Sequence, residues 1–301
     1  MFFDCDYDHE HEHEWACRMT AGLWNRETFV DNLRAIGARA YHDKHPFHIA
    51  MNEGRLSPEA LRGWVINRFY YQRNIPLKDA AILSNCPVRE VRRVWTHRIF
   101  DHDGLAPNAV ESAFPSGEHA QPDALRTAHT TAIGSEHEGG IEAWLRLGEA
   151  CGLSRSELME DRQLQPGVRF AVDAYVNFAR TQPWPVAIAS SLTELFAPDL
   201  MATRLAAFEK FYPWIEGGGL EYFRRRTSQA RRDSDEALSI TLEYCNTPEL
   251  QRDAVRALEF KCNVLWSMLD TIHHAYGQPK EGLVASGATT GNFSGWEAAA
   301  S

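Results

Sequence analysis

The 301-residue sequence predicts an all-α fold built as a single compact helix bundle. Apolar residues recur three and four apart through most of the chain, and no run alternates with the period of two that a strand requires. Helix-start signals open several of these stretches, as at Ser57-Pro58 and Thr247-Pro248.

Phe29, Leu33 and Ile36 share one face and predict the first helix. Ser57 as N-cap and Pro58 at the first helical position open a second. Pro76 is expected to interrupt it, because proline has no amide hydrogen to donate. Helical segments over 77–85 and 88–103 follow. Residues 105–138, rich in Ala, Pro, Gly, Ser and His without a sustained period, are expected to form a long loop insertion. Ile141, Trp144, Leu145 and Gly148 mark the next helix, and the capping box from Ser154 to Glu157 opens a short one. Val168, Val172, Tyr175 and Phe178 mark another. Segments over 184–196 and 199–211, separated by Pro198, precede two long helices over 219–245 and 248–276. The helical domain thus spans 19–278, with a flexible tail over 279–301.

The formal charge of -10 argues against nucleic acid or an anionic membrane as partner. Six acids against Arg18 in residues 1–18 account for half of that charge, so the body is only mildly acidic. The alternating His-Glu run from His9 to Glu14 reads as a solvated tail rather than a metal site, and Met19 reads as a natural start that makes 1–18 an upstream extension. No apolar run is long enough to span a bilayer, and the acidic N-terminus is the opposite of a signal peptide. Six scattered cysteines without a C-x-x-C pair fit reduced thiols in a cytoplasmic protein.

Nucleotide-binding, zincin and nucleophile-elbow signatures are missing. What stands out is polar residues on apolar stripes. Arg68 and Gln72 continue the stripe of Leu61, Trp64 and Val65, and Arg98 and His102 continue that of Val91, Val94 and Trp95. Lys261 sits between Leu258 and Leu265, Arg204 among Leu200, Met201, Leu205 and Phe208, and Tyr222, Arg226 and Gln229 lie four and three apart. Burying a cation is costly without a counter-charge. Against these five cations the sequence offers one plausible buried carboxylate, Glu194, so an anionic guest is expected. Guanidinium forks match carboxylates, which makes a small polycarboxylate the natural one. His102, with Tyr175 or Tyr222, supplies groups that move protons or donate to an oxyanion.

The strings FYYQ-x-x-IPLKDAAI, RI-x-DHDG, GGIEAWLRLGEA, PGVRFAVDAY-x-NFAR, SSLTELFAP and FKCNVLWSMLD resemble the pyrroloquinoline quinone synthase family, over about residues 29 to 276 apart from 105–138. The resemblance implies a haem-oxygenase-like fold of seven helices without haem, usually a homodimer. It implies a cofactorless oxidase that closes a ring and removes eight electrons from a tricarboxylated quinone precursor, with O2 as acceptor and H2O2 and pyrroloquinoline quinone as products. By resemblance, Tyr41, His42, Arg68, Gln72, Arg98, Tyr175, Arg204 and Lys261 hold the substrate, Glu194 orients cations or substrate, and His102 is the general base. Tyr222 and Arg226 line the oxygen site.

One departure stands in that oxygen site. The family pattern places a His where this chain has Met201, and a thioether neither donates a hydrogen bond nor carries a proton. The alternative reading is therefore a carrier of the same fold that binds without oxidising. A di-iron oxidase of the wider superfamily is a further rival, but Arg226 occupies a ligand position and guanidinium is not a metal ligand.

Overall fold

The computed structural model describes residues 22–104 and 138–277. The expectations for 1–18 and 279–301, and for the insertion up to 137, lie outside these residues. Among the described residues every regular element is helical. The long helices are α1 (Arg26–Ala40), α3 (Pro58–Asn85), α4 (Arg89–Asp103), α5 (Gly140–Ala150), α7 (Pro166–Thr181), α9 (Ala197–Phe211), α10 (Glu221–Tyr244) and α11 (Pro248–Ile272). Short helices α2 (Pro46–Asn52), α6 (Arg155–Met159) and α8 (Trp184–Ala189), with several single-turn 3-10 segments, raise the number of helical pieces above seven.

The caps follow the sequence signals. Ser57 accepts from Ala60 N, Thr247 accepts from Leu250 N, and Ser154 and Glu157 form the reciprocal capping box. Pro76 does not end its helix. α3 runs unbroken through it for 28 residues. The missing amide hydrogen leaves the Gln72 carbonyl without its usual donor, and the burial of most of α3 on all sides holds the helix together across the gap. Pro198 likewise sits in the first turn of α9 rather than before it, where proline costs no hydrogen bond. The 184–196 segment divides into α8 and a 3-10 turn from Ser190 to Leu195, which carries Glu194. The final stretch ends α11 at Ile272 and closes in a π-turn, His273–Gly277.

α3 is the axis of the bundle and packs against α4, α5 and α7. α11 lies across α1, α7 and α8, while α10 packs on α9 and on the 3-10 turn of Glu194. Trp64, Trp144, Phe208 and Phe223 fill the core between them. The cysteines described, Cys86, Cys151, Cys245 and Cys262, are buried free thiols. No helix among the described residues is long and apolar enough to cross a membrane.

The two stems of the insertion meet. A Cβ on Gly139 would collide with Gly104 N and His102 O, and Glu138, expected to close the loop, instead belongs to the core: its buried carboxylate accepts from Arg146 at 2.5 Å and lies 3.3 Å from Arg225. With both ends pinned, replacing 106–136 by a four-residue Gly/Ser connector is expected to keep the fold and raise stability by up to about 2 kcal/mol, from the shorter loop alone. A lower urea midpoint would instead show that the segment contributes contacts.

Candidate active site

Packing of α3, α9, α10 and α11 around the Glu194 turn leaves a cavity of ≈ 70 Å³, lined by Tyr41, His42, Arg68, His102, Glu194 and Arg204 among others. Tyr222, Arg226 and Met201 complete that wall. Most of the stripe residues expected at a site therefore converge on one place. Four expected residues lie just behind the wall: Gln72, Arg98, Tyr175 and Lys261 are almost fully buried but do not line it.

The cations divide into two groups. Arg98 and Arg226 are neutralised from within the protein. Arg226 donates to Glu194 at 2.8 Å and to Asp233 at 3.1 Å, while Arg98 lies 3.4–3.5 Å from Asp79, Glu194 and Asp233. Asp79 in turn accepts from Lys78 at 2.5 Å and from the Trp95 indole at 2.9 Å. Burial works against ionisation of Asp233, but Arg98, Arg226 and Arg232 outweigh it and hold the carboxyl well below its usual range. The expectation of a single carboxylate facing these cations is thus corrected to three: Asp79 and Asp233, both buried, and the partly buried Glu194.

Arg68, Arg204 and Lys261 have no carboxylate partner among the described residues. Arg68 lies over the rings of Tyr71 at 4.1 Å and Trp144 at 5.0 Å. Arg204 donates to His48 Nε2 at 3.1 Å and faces the Trp64 ring. Burial pushes it down to about 10, which still leaves it charged at neutral pH. Lys261 donates to the Tyr71 hydroxyl at 2.6 Å and sits 3.6 Å from the Tyr175 ring centre. Burial, then Lys78 and Arg68, hold its amine well below the usual lysine range. Two guanidiniums without counter-charge on the wall, with a lysine amine buried behind it that an anion would help to protonate, are suited to a multiply anionic guest.

The three histidines of the site are held toward the neutral form. Burial lowers His42, His48 and His102 well below the ordinary imidazole value. Arg204 adds to the effect at His42 and His48, and Arg226 and Arg98 at His102. These three rings carry a stability signature. The unfolded chain takes up protons below about pH 6.5 while the folded one does not, so stability falls as pH falls through that value. Each ring is expected to cost about 1 kcal/mol between pH 7 and 5.5. Urea unfolding at the two pH values checks this, with the His102→Asn variant expected to lose about a third of the difference. Equal midpoints for wild type would contradict neutral burial.

His48, Tyr71, Lys78, Asp79, Trp144 and Asp233 were not expected from the sequence. Asp233 carried the plainest signal, since it continues the face of Tyr222, Arg226 and Gln229 by one further step of four. Trp144 sets the Tyr222 ring by an edge contact at 4.8 Å and is itself fixed by donating to Val65 O at 3.0 Å. Among the described residues no three His, Cys, Asp or Glu side chains form a metal-binding group.

The TENA/THI-4/PQQC family model matches residues 30–271. A pyrroloquinoline-quinone synthase of Pseudomonas aeruginosa is 52% identical over 258 residues, covering 86% of this chain and 91% of that protein. One of Ectopseudomonas mendocina is 53% identical over 248 residues, covering 82% and 87%. Among solved structures, a TenA homologue from Pseudomonas syringae pv. tomato superposes with a TM-score of 0.58 at 12% identity, covering 82% of this chain and 92% of that one. A domain of unknown function with a haem-oxygenase-like fold from Shewanella denitrificans gives 0.57 at 12% identity, covering 87% and 96%. At such low identity these two structures bear on the fold, which is haem-oxygenase-like. The family match spans most of the described bundle, and this chain belongs to the TENA/THI-4/PQQC family.

Proposed function

We propose that this protein is a pyrroloquinoline-quinone synthase, which closes a ring in a tricarboxylated quinone precursor and oxidises it with O2, releasing H2O2. The observation that carries the reading is the pair of guanidiniums on the cavity wall without a carboxylate partner among the described residues, Arg68 and Arg204, with the buried Lys261 amine behind it, in a chain about half identical to proteins of that name. Arg68, Arg204 and Lys261 match in number the carboxylates of the substrate. Arg98 acts on the cavity from behind, by fixing Glu194 and Arg226. Tyr222 and Arg226 supply donors toward charge that develops on reduced oxygen, Tyr41 and His42 bound the substrate, and His102 transfers protons. Tyr175 supports Lys261 through its ring face.

As it stands the cavity is smaller than the few hundred cubic ångströms that bind molecules of this size, so entry of the substrate moves the wall. A larger pocket of ≈ 660 Å³ shares Tyr41 with it, which makes the Tyr41 side the natural approach to the cavity. The electrons leave from the reduced substrate itself, without a metal or organic cofactor. A cytoplasmic homodimer completes this reading; light scattering of the purified protein tests its oligomeric part.

The decisive experiment is anaerobic mixing with the precursor, then admission of oxygen, with absorbance and peroxide recorded together. Oxygen-dependent quinone formation is expected. Tight binding with no oxidation would overturn the oxidase reading and leave a carrier. Met201 lines the same cavity as Arg226 and Tyr222. Met201→His is expected to accelerate the oxygen-dependent phase by about tenfold or more, within the range of a positioned proton donor. An unchanged rate would show that the thioether does not limit oxidation.

A further inference from the structure

Gln72 is fully buried between three site residues. Its Nε2 lies 2.8 Å from His102 Nδ1, and its Oε1 accepts from the Tyr222 hydroxyl at 2.8 Å and from Arg68 Nη1 at 3.4 Å. Arg68 decides the orientation of this amide. A guanidinium only donates, so the amide oxygen faces Arg68 and the NH2 group faces His102. The NH2 group also only donates, so Nδ1 of His102 is the nitrogen without a proton. The ring is neutral, held so by burial and by Arg226 and Arg98, and a neutral imidazole keeps one proton. The hydrogen-bond network therefore assigns that proton to Nε2. Nε2 is buried with no hydrogen-bond partner among the described residues, on a side chain that lines the cavity.

The resting ring thus carries an N–H and not a lone pair at Nε2. A general base needs the opposite. We propose that Gln72 latches the tautomer of His102, and that an anion drawing Arg68 away releases the latch. The second half rests on the proposed function, because it places a substrate carboxylate at Arg68.

Arg68 is suited to this release, being held by two ring faces and one long hydrogen bond rather than by a carboxylate. Once it turns to an anion, nothing that only donates faces Gln72. The Tyr222 hydroxyl accepts as readily as it donates, so the amide can turn over. Its oxygen then accepts from Nδ1–H, while one proton leaves Nε2 and one arrives at Nδ1, with no net change in the ring. Nε2 now presents a lone pair. Gln72 and Arg68 are in this sense positioning residues, which make His102 a donor in the resting site and a base in the filled one.

Nitrogen NMR of the full chain, labelled in its histidine rings, tests this directly, with His102→Asn identifying the resonances. The resting protein is expected to show a bare Nδ1 and a protonated Nε2. Adding pyrroloquinoline quinone as a tricarboxylate probe is expected to move the proton to Nδ1. Arg68→Met is expected to populate the second form without any ligand. Gln72→Glu, whose carboxylate only accepts, is expected to hold Nδ1–H throughout. A protonated Nδ1 in the resting protein sinks the latch. A resting pattern retained in Arg68→Met removes Arg68 from it, and a ring protonated on both nitrogens with the probe bound overturns the release. The spectra without ligand involve no turnover, so they stand or fall apart from the catalytic reading.

Discussion

Replacing Asp233 by Ala is expected to destabilise the protein by about 3–5 kcal/mol, the usual result of removing one partner from a buried charge network. Asp233 is the common acceptor of the cluster behind the cavity. Its Oδ2 lies 3.1 Å from Arg226 and 3.4 Å from Arg98, and its Oδ1 takes a third bond, at 3.0 Å, from Arg232. Without it Arg98 keeps only contacts of 3.5 Å to Asp79 and Glu194, and two of its nitrogens already lack a good hydrogen bond. A guanidinium at 1% exposure, left with two long contacts, has no route to solvent. The midpoint of thermal unfolding is expected to fall by roughly 10 °C, from the entropy of unfolding of a chain of this size. Asp233→Asn keeps the volume and one acceptor and is expected to lose about half as much. A change below 1 kcal/mol in Asp233→Ala would mean that the charges behind the cavity are balanced in some other way. Oxygen-dependent turnover is expected to fall further than stability alone requires, because Arg226 loses the group that opposes its pull toward Glu194.

That cluster also shows where sequence reasoning stops. Arg68, Gln72 and His102 were legible because a polar side chain on an apolar stripe violates the helical pattern, and the violation marks the residue. Carboxylates do not stand out in the same way. Expecting Pro76 to end the helix broke the register just where it mattered. With α3 continuous, Gln72 and Asp79 lie two turns apart on one face, and Asp79 joins the site. Asp233 lies in the segment RRDSDEA, where dense charge reads as a solvated surface until the helix is seen packed on its partners. His48 lies in the short helix α2, which has too few residues for a period to emerge. The bundle itself was legible because helix periodicity and caps are local signals. The division of the cations into paired and unpaired is not local. It depends on which carboxylates α3, α10 and the Glu194 turn bring within reach.

The unpaired group makes the sharper prediction, because stability and binding should move in opposite directions. Arg204 is 4% exposed, has no carboxylate partner among the described residues, and contacts the cavity and His48. Its charge is desolvated without compensation, so the ligand-free protein carries a cost that a carboxylate would relieve. Arg204→Met removes the charge, keeps much of the volume, and places a thioether against the Trp64 ring now faced by the guanidinium. Against that gain stand the cation–π contact and the donor lost to His48 Nε2, each worth about 1 kcal/mol. A net stabilisation of about 1 kcal/mol is expected without ligand, read from the urea midpoint. Affinity for pyrroloquinoline quinone is expected to fall about 30- to 100-fold, since a buried charge pair that the ligand would complete is worth at least 2 kcal/mol. If both quantities fall together, Arg204 is a structural residue. If affinity holds, the guest's carboxylates go elsewhere and the match of three cations to three carboxylates fails. Opposite signs would identify the cost of keeping this cation buried as the part of the fold that is repaid only when the anion arrives.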